Sequence, residues 1–208
     1  MNFYSYVVAR DYGFAPNPFG PYCTLATCKP NIRRAASKGD WIVGTGSARC
    51  HGTTNLVFAM KVSEKLTFNE YWRDPRFLYK RPVLNGSLKQ TYGDNIYYCK
   101  RGKWHQADSH HSNEDGSVNT YNLERDTSYP YVLISDHFFY FGRNAARIPK
   151  RFRGQSGECI SKRGPGHRCR FSSPFVVRFI QWLTSKYSPG YFGDPALFTH
   201  FERYDGVS

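Results

Sequence analysis

The sequence lacks an apolar run long enough to cross a membrane, which excludes a protein with spanning helices. No stretch among the 208 residues stays apolar over the roughly 18 residues that such a helix needs. The first eight residues also lack the basic segment followed by an apolar one that marks a signal peptide. We therefore expect a protein that works in the cytoplasm, with no membrane partner.

Several chemical motifs are missing as well. The chain contains neither a GxxxxGK[ST] phosphate loop nor a GxGxxG fingerprint, which argues against kinases and dinucleotide-dependent enzymes. None of the six cysteines forms a CxxC pair, and the spacing of Cys159, His167 and Cys169 fits no common zinc module. We therefore predict no cofactor, no metal and reduced thiols. No serine or cysteine elbow motif supports an acyl-transfer triad.

Acidic residues are scarce. Asp and Glu number 16 against 29 Lys and Arg, so the formal net charge is +13. Such an excess favours a polyanionic partner, a nucleic acid or a nucleotide, over a basic surface that is only solvated. Residues 147–170 are basic and glycine-containing, and they predict a long loop that contacts phosphates or is merely solvated. The predicted phosphate contacts are Lys150, Arg151, Arg153, Arg168 and Arg170, and Arg163 adds to the charge of the loop.

Aromatic residues are plentiful, at 17% of the chain, and they favour half-buried strands. The patterns predict strands over residues 3–10, 41–43, 56–62, 96–99, 131–134 and 138–141. They predict short helices opened by Pro30 and by the Thr67–Glu70 capping box, and a longer C-terminal helix opened by Ser173 and Pro174. We expect one α+β domain over residues 1–208, built on a twisted, partly closed sheet or barrel.

Five sequence blocks carry a resemblance to a known family. They are YVVARDYGFAPNPF (residues 6–19), TLATCKP (24–30), GDWIVGTGS (39–47), YWRDPRF (71–77) and GDNIYY (93–98). Together they resemble the nucleotide modification associated domain family, type two. The resemblance implies a role alongside systems that modify or handle unusual bases in bacteria and phages, phage defence included.

A second resemblance concerns architecture. Residues 39–72 run from a Gly-Asp pair through two apolar strands to an aromatic helix. This order is similar to the PUA-like superfamily, which includes modules that bind modified bases in aromatic cages. Carried over by position, Thr45, Gly46, Ser47 and Trp72 would lie near the base pocket.

The opening loop, residues 11–20, is the first candidate site. Two prolines and two glycines are incompatible with regular structure there. Asn17 offers the paired donor and acceptor that read a base edge, and the rings of Tyr12 and Phe14 can stack on a base near Asp11. The alternative is a rigid loop whose rings close the end of the sheet.

A second candidate site combines two sets of polar residues, one before and one after a predicted strand. Asp94 and Asn95 precede a predicted strand, and Asp108, His110 and His111 follow it. Such groups act as acid and base, bind phosphate or ligate metal. Neighbouring histidines on a strand point to opposite faces, so at most one is expected in a pocket. The alternative is a solvated turn, because residues 113–116 have turn chemistry.

His137, beside Asp136 at a strand end, is the third candidate site.

Three functions remain open. The first is recognition of a modified base in an aromatic pocket with the basic loop on the backbone. The second is an enzyme acting on a nucleotide or modified base, with candidate catalytic groups Asp108, His110 and His137. It requires at least two side chains of a six-residue set to meet in one pocket. The set is Asp11, Asp94, Asp108, His110, His111 and His137. The third function is a protein-interaction scaffold in a modification or defence system.

Overall fold

The computed structural model describes residues 1–155, 157–162, 164 and 166–206. Arg163, which the sequence places in the basic loop, lies outside the described residues. The chain divides into two compact units. Unit 1 comprises Met1–Asp11, Ser37–Ser63 and Ser135–Ala196. Unit 2 comprises Tyr12–Ala36, Glu64–Ile134 and Leu197–Ser208.

The described residues form short strands and short helices. The strands are β1 (Phe3–Val8), β2 (Cys23–Leu25), β3 (Trp41–Gly46), β4 (Asn55–Lys61), β5 (Glu64–Thr67), β6 (Tyr97–Lys100), β7 (Lys103–Gln106), β8 (Tyr131–Ser135), β9 (His137–Tyr140), β10 (Ala146–Arg147), β11 (His167–Arg168) and β12 (Gly190–Tyr191). The α-helices are α1 (Pro30–Ala35), α2 (Phe68–Arg73), α3 (Leu88–Thr91), α4 (Thr120–Thr127) and α5 (Ser173–Lys186). Single 3₁₀ segments cover Pro75–Lys80, Gly142–Asn144 and Lys150–Phe152.

Unit 1 is built on a mixed sheet with the strand order β11-β1-β3-β4-β9-β12, and β10 also pairs with β4. The pairs β1–β3 and β9–β12 are parallel, whereas the others are antiparallel. Strand β3 is buried along its whole length, which is why its sequence is apolar without alternation. Helix α5 adds an apolar face to the core of this unit. That face consists of Phe175, Val176, Phe179 and Leu183.

Unit 2 contains a three-stranded sheet, β2-β8-β5, and the separate hairpin β6–β7. Helix α2 begins with the predicted capping box. The Glu70 amide donates to Thr67 Oγ1 over 3.2 Å, and the Thr67 amide donates to Glu70 Oε2 over 2.7 Å. This box fixes where α2 starts and thereby where Trp72 lies.

The prediction of mixed strands and short helices with one longer C-terminal helix is confirmed. Within the described residues, the sheets are open and do not close into a barrel, because the end strands of unit 1, β11 and β12, do not pair with each other. The helix that the sequence opens at Ser173 has Ser172 as its cap, one residue earlier than expected. A single domain over the whole chain stays a prediction.

The basic segment 147–170 is more ordered than a free loop. Its backbone contributes β10, β11 and a 3₁₀ turn. Ile148, Phe152 and Ile160 are almost fully buried in the core of unit 1, and they anchor the segment between its charged positions. The predicted long loop is therefore interrupted by short elements and attached to the core, because a few apolar residues suffice to anchor a polar segment.

Candidate active site

Three side chains from distant parts of the sequence meet in unit 2. Cys28 Sγ lies 3.8 Å from Nε2 of His111, and Nδ1 of His111 lies 2.9 Å from Oδ2 of Asp126. Tyr97 donates its hydroxyl to the same Asp126 oxygen over 3.0 Å. His111 and Asp126 are buried, whereas Cys28 is partly exposed. A thiol, an imidazole and a carboxylate thus form one line that ends at a partly exposed residue, Cys28.

The backbone at Cys28 is strained. Cys28 and Lys29 have φ values of 55° and 42°, in the left-handed region, just before Pro30 starts α1. Non-glycine residues reach this region at a cost of about 1–2 kcal/mol each. Strain of this kind persists where surrounding contacts impose it, and it concentrates at functional sites.

Arg33 and Asp126 impose this conformation. The Cys28 amide donates to Asp126 Oδ1 over 2.9 Å, and Arg33 Nε donates to the Cys28 carbonyl over 2.8 Å. The fully buried guanidinium of Arg33 also donates to the carbonyls of Asp126, Tyr129 and Tyr131, at 2.6, 3.0 and 2.6 Å. Arg33 therefore ties the Cys28 turn to the end of α4 and to the start of β8.

His111 is held from several sides. Its carbonyl accepts hydrogen bonds from the Gln106 and Asn122 side-chain amides, at 2.9 and 3.1 Å. Phe14 packs edge-on against the imidazole with 4.7 Å between ring centres. The carboxylate of Asp126 accepts from Nδ1–H, which leaves Nε2 directed at the sulfur. This is the tautomer that a base for a thiol requires.

The charges of the three groups support one another. Burial raises the pKa of Cys28, but the neighbouring His111 outweighs burial and brings the pKa below its ordinary value. Burial lowers the pKa of His111, but the charges of Asp126 and Cys28 outweigh it and raise the pKa from 6.5 to about 9. Burial raises the pKa of Asp126, but His111, Arg33 and Arg125 lower it to about 2. The arrangement keeps the imidazole of His111 protonated at neutral pH and eases ionisation of the thiol beside it.

Such an arrangement is equipped for nucleophilic chemistry. A thiolate attacks electrophilic carbon, an imidazolium protonates the leaving group, and a carboxylate orients the imidazole. Beside Cys28, the buried hydroxyl of Thr27 has no hydrogen-bond partner in the described part of the chain, so it is available as a donor. Among the described residues, no group of three His, Cys, Asp or Glu side chains is arranged to hold a metal ion.

The predicted base-reading residues Asn17, Asp94 and Asn95 are buried elsewhere in unit 2. Asn95 donates to the carbonyls of Tyr71 and Phe77, at 3.1 and 3.2 Å, while its Oδ1 has no hydrogen-bond partner among the described residues. Asp94 accepts from the hydroxyls of Thr24 and Tyr71, at 2.6 and 2.7 Å. Three hydrogen bonds from the Lys80 ammonium reach Asn17 Oδ1 and the carbonyls of Asn17 and Tyr22. Burial raises the pKa of Asp94 and lowers that of Lys80 to about 8. These contacts support a structural role, and base reading stays a prediction.

The other predicted residues of unit 2 surround the imidazole or lie apart from it. Tyr12 stacks on Tyr92 with 5.3 Å between ring centres. His110 and His111 lie in a turn rather than a strand, and their rings stack 5.6 Å apart. The expectation that they face opposite sides was therefore wrong. The alternative of a solvated turn was right about the turn and about exposed residues 113–115, but wrong about the two histidines, which are buried. Asp108 is exposed and pairs with Arg203 at 3.0 Å.

In unit 1, Asp11 is buried and pairs with a histidine that the sequence did not point to. Asp11 Oδ2 lies 2.8 Å from His51 Nε2, and Oδ1 accepts the hydroxyl of Tyr140. Burial lowers the pKa of His51, but the hydrogen bonds to Asp11 and Cys50 raise it to about 9. His137 lies at the start of β9, edge-on to Trp41 at 5.8 Å between ring centres, whereas Tyr140 ends the same strand.

Three predicted pocket residues end β3 or follow it. Thr45 and Gly46 are buried, and a Cβ on Gly46 would lie 2.4 Å from the Gly52 carbonyl oxygen. Ser47 accepts a hydrogen bond from the Cys50 amide over 2.9 Å. The strand end is thus closed by its own turn, and the contacts show a structural use of all three residues.

The remaining predicted residues lie near the surface. Trp72 is half-buried on α2. Among the predicted phosphate contacts, Lys150, Arg151 and Arg170 are exposed, and Arg153 and Arg168 are half-buried. Of the six acid–base candidates, only His111 joins Cys28 and Asp126.

Sequence reasoning missed Cys28 and Asp126. Asp126 lies on α4, whose buried positions are Asn122 and Asp126, so no apolar periodicity marks the helix. Cys28 precedes a proline helix start that the sequence does reveal, and a cysteine before that helix was the one available signal. The separation of 83 positions between Cys28 and His111 hides their contact.

Comparison with known proteins gives one match. A family model described as nucleotide modification associated domain 2 matches residues 1–202 of the chain. Comparison with curated proteins found no match. Comparison with solved structures found none either. In the part of the chain that the structure describes, no helix combines the length and the apolarity needed to cross a bilayer.

Proposed function

Since the chain belongs to the nucleotide modification associated domain 2 family, we propose that it is a thiol-dependent enzyme that acts on a nucleotide or a modified base. The observation that carries the proposal is the line from Cys28 Sγ through His111 to Asp126, with separations of 3.8 and 2.9 Å. Cys28 is the nucleophile and His111 is the acid and base. Asp126 positions the imidazole.

The substrate class follows from this chemistry. A thiolate paired with an imidazolium can attack a carbonyl or amidine carbon of the base when that carbon carries a leaving group. Cys28 Sγ bonds to that carbon, the carbon–heteroatom bond breaks, and the leaving group takes the proton of His111 Nε2. Water then attacks the thioester or thioimidate, His111 takes the proton of the water, and the thiolate leaves.

Aromatic side chains support a planar substrate. Phe14 lies against His111, and the ring of Tyr204 lies 6.0 Å from the same imidazole. Rings of this kind can pack on a base. Recognition of a modified base by these residues is part of the proposal. A PUA-like fold and a place in phage defence are not required by it, and both stay predictions.

Alkylation of Cys28 tests the proposal without knowledge of the substrate. Iodoacetamide reacts with thiolates, so we expect Cys28 to react at a pH where ordinary thiols, with pKa values of about 8.5, are largely protonated. Mass spectrometry resolves the six cysteines, and the exposed Cys169 is the internal control. His111→Gln keeps the side chain polar and removes the cation, so alkylation at neutral pH should slow for Cys28 alone.

Two outcomes would contradict the proposal. One is a pH profile for Cys28 that coincides with that of Cys169. The other is a His111→Gln variant that melts like the wild type and alkylates Cys28 at the wild-type rate. If His111→Gln unfolds, Cys28→Ser replaces it in a thermal-shift screen of modified nucleosides, and the wild type is assayed for turnover of each nucleoside that binds. Binding with no turnover by the wild type would favour a reader over an enzyme.

A second candidate function is nucleic-acid binding by the basic segment 147–170. Lys150, Arg151 and Arg170 are exposed, while Phe152 anchors the backbone between them. Each phosphate that the segment neutralises on a duplex would add about 0.9 to the log–log salt slope. Lys150→Glu with Arg151→Glu should lower affinity for duplex DNA at low salt. Unchanged affinity of the folded variant would exclude the role.

A further inference from the structure

Four planar groups form a column on the surface of unit 2. The Arg81 guanidinium carbon lies 3.9 Å from the ring centre of Trp72, Trp72 stacks 4.4 Å from Tyr98, and Tyr98 stacks 4.9 Å from His105. Two planar groups this close to one ring occupy opposite faces, because one face has no room for both. The order of the column is therefore Arg81, Trp72, Tyr98, His105.

The secondary structure holds this column rigidly. Tyr98 and His105 are cross-strand partners in the hairpin β6–β7. The side-chain oxygen of Asn69 accepts the Cys99 amide over 2.7 Å, which fastens the hairpin to α2. The four groups are half-buried rather than covered. No other ring among the described residues stacks on His105, and β7 pairs with β6 alone, so neither a ring nor a further strand covers the second face of the imidazole.

The tip of the same hairpin concentrates positive charge. Lys100 lies opposite Lys103, and Arg101 and Gly102 form the turn with φ values of 52° and 75°. The three cations are exposed and form no ion pair with the described residues. Like charges on paired positions destabilise a hairpin. A bound anion would relieve this repulsion.

We propose that the hairpin β6–β7 and the column bind single-stranded nucleic acid. Phosphates lie at the tip cations Lys100, Arg101 and Lys103, and a base extends the column on the open face of His105. Trp72 does not stack on the base itself, because Arg81 and Tyr98 cover its faces. Aromatic faces beside a cationic path are the combination that unpaired strands require.

Strand binding at this surface also refines the proposed function. That refinement alone rests on the proposed function: the nucleotide that Cys28 attacks would be part of a strand rather than free. Strand binding itself does not depend on Cys28. The two ideas can therefore fail separately, and one set of variants distinguishes them.

The test measures fluorescence anisotropy of labelled single-stranded oligothymidylate across a salt series. The triple variant Lys100→Glu, Arg101→Glu, Lys103→Glu removes the tip charge. Its matched control, Lys38→Glu, Lys61→Glu, Lys186→Glu, changes three exposed lysines elsewhere by the same net charge. Each single-strand phosphate contact adds about 0.7 to the log–log salt slope, so the triple variant should lose roughly 2 units of slope and the control none.

His105→Ala tests the stacking face. Loss of one stacked base should weaken the oligothymidylate complex roughly 5- to 150-fold without a change in salt slope. Equal binding by the triple variant and the wild type, or no binding by the wild type at low salt, would overturn the proposal. So would preferential binding of an acidic polypeptide over the oligonucleotide. Strand binding that persists in Cys28→Ser, with no thiol activation in the wild type, would retain this surface and reject the enzyme.

Discussion

Asp126→Asn is the substitution that most directly tests the electrostatics of the candidate site. Asparagine keeps the shape of the side chain and can still accept from the Cys28 amide, but it carries no charge for His111. Its amide group facing Nδ1 would also favour the imidazole tautomer with the proton on Nε2, which no longer accepts from the thiol. We expect both lower stability and a less reactive Cys28.

The magnitude follows from the His111 pKa. Its rise from 6.5 to about 9 corresponds to on the order of 3 kcal/mol of stabilisation of the charged imidazole in the folded state. Because the folded pKa is raised, this stability is fully present below about pH 6.5 and is lost as the pH rises through about 9. The Asp126 pKa is lowered to about 2, so its contribution is lost only as the pH falls toward that value.

The assay is thermal unfolding of the wild type and Asp126→Asn between about pH 5 and pH 9. At the acid end, the variant should melt roughly 6–12 °C lower, since about 3 kcal/mol moves the midpoint of a chain this size by that amount. The gap should narrow toward pH 9. The control is Asp115→Asn, the same change at an exposed site. A gap that is absent at acid pH, or that widens with pH, would refute the electrostatic account.

Two further substitutions test how the structure is held. Arg33→Met removes four hydrogen bonds from a buried guanidinium to backbone carbonyls and should cost about 3–5 kcal/mol in denaturant unfolding. Arg34→Met, at the exposed neighbour, should cost far less, and equal costs would contradict the role of Arg33. Gly46→Ala places a Cβ 2.4 Å from the Gly52 carbonyl oxygen and 2.8 Å from the His51 Cβ, and should cost about 1–3 kcal/mol. Gly102→Ala meets no atom within 4 Å and should cost only about 1 kcal/mol for its left-handed backbone, so the reverse ranking would refute the steric argument.

Local signals predicted most of the elements correctly. Pro30 opens α1, the Thr67–Glu70 box opens α2, and the apolar runs give β3, β4 and β8. These signals operate over a few residues, which a single sequence displays. The sequence did not reveal β5 or β7, whose residues are mostly half-buried or exposed and therefore show no apolar pattern.

The site was less predictable, for physical reasons. His111 was among the candidates, but its partners Cys28 and Asp126 depend on tertiary contacts over 83 and 15 residues. Polar residues at Asp94 and Asn17 looked functional because polarity is unusual beside apolar strands. In the structure Asp94 accepts a hydrogen bond from Thr24, and Asn17 accepts one from Lys80. Composition alone cannot distinguish such a buried hydrogen-bond network from a binding site.

The division of the chain between its two units has a consequence for synthesis. Each unit is assembled from three separate segments, and unit 2 includes residues from Leu197 onward. Tyr204, whose amide donates to the His110 carbonyl over 2.7 Å, belongs to that last segment. Because synthesis proceeds from the N-terminus, the segment that begins at Leu197 is made only after every residue of unit 1. The contact of Tyr204 with His110 therefore forms late, when the rest of both units already exists.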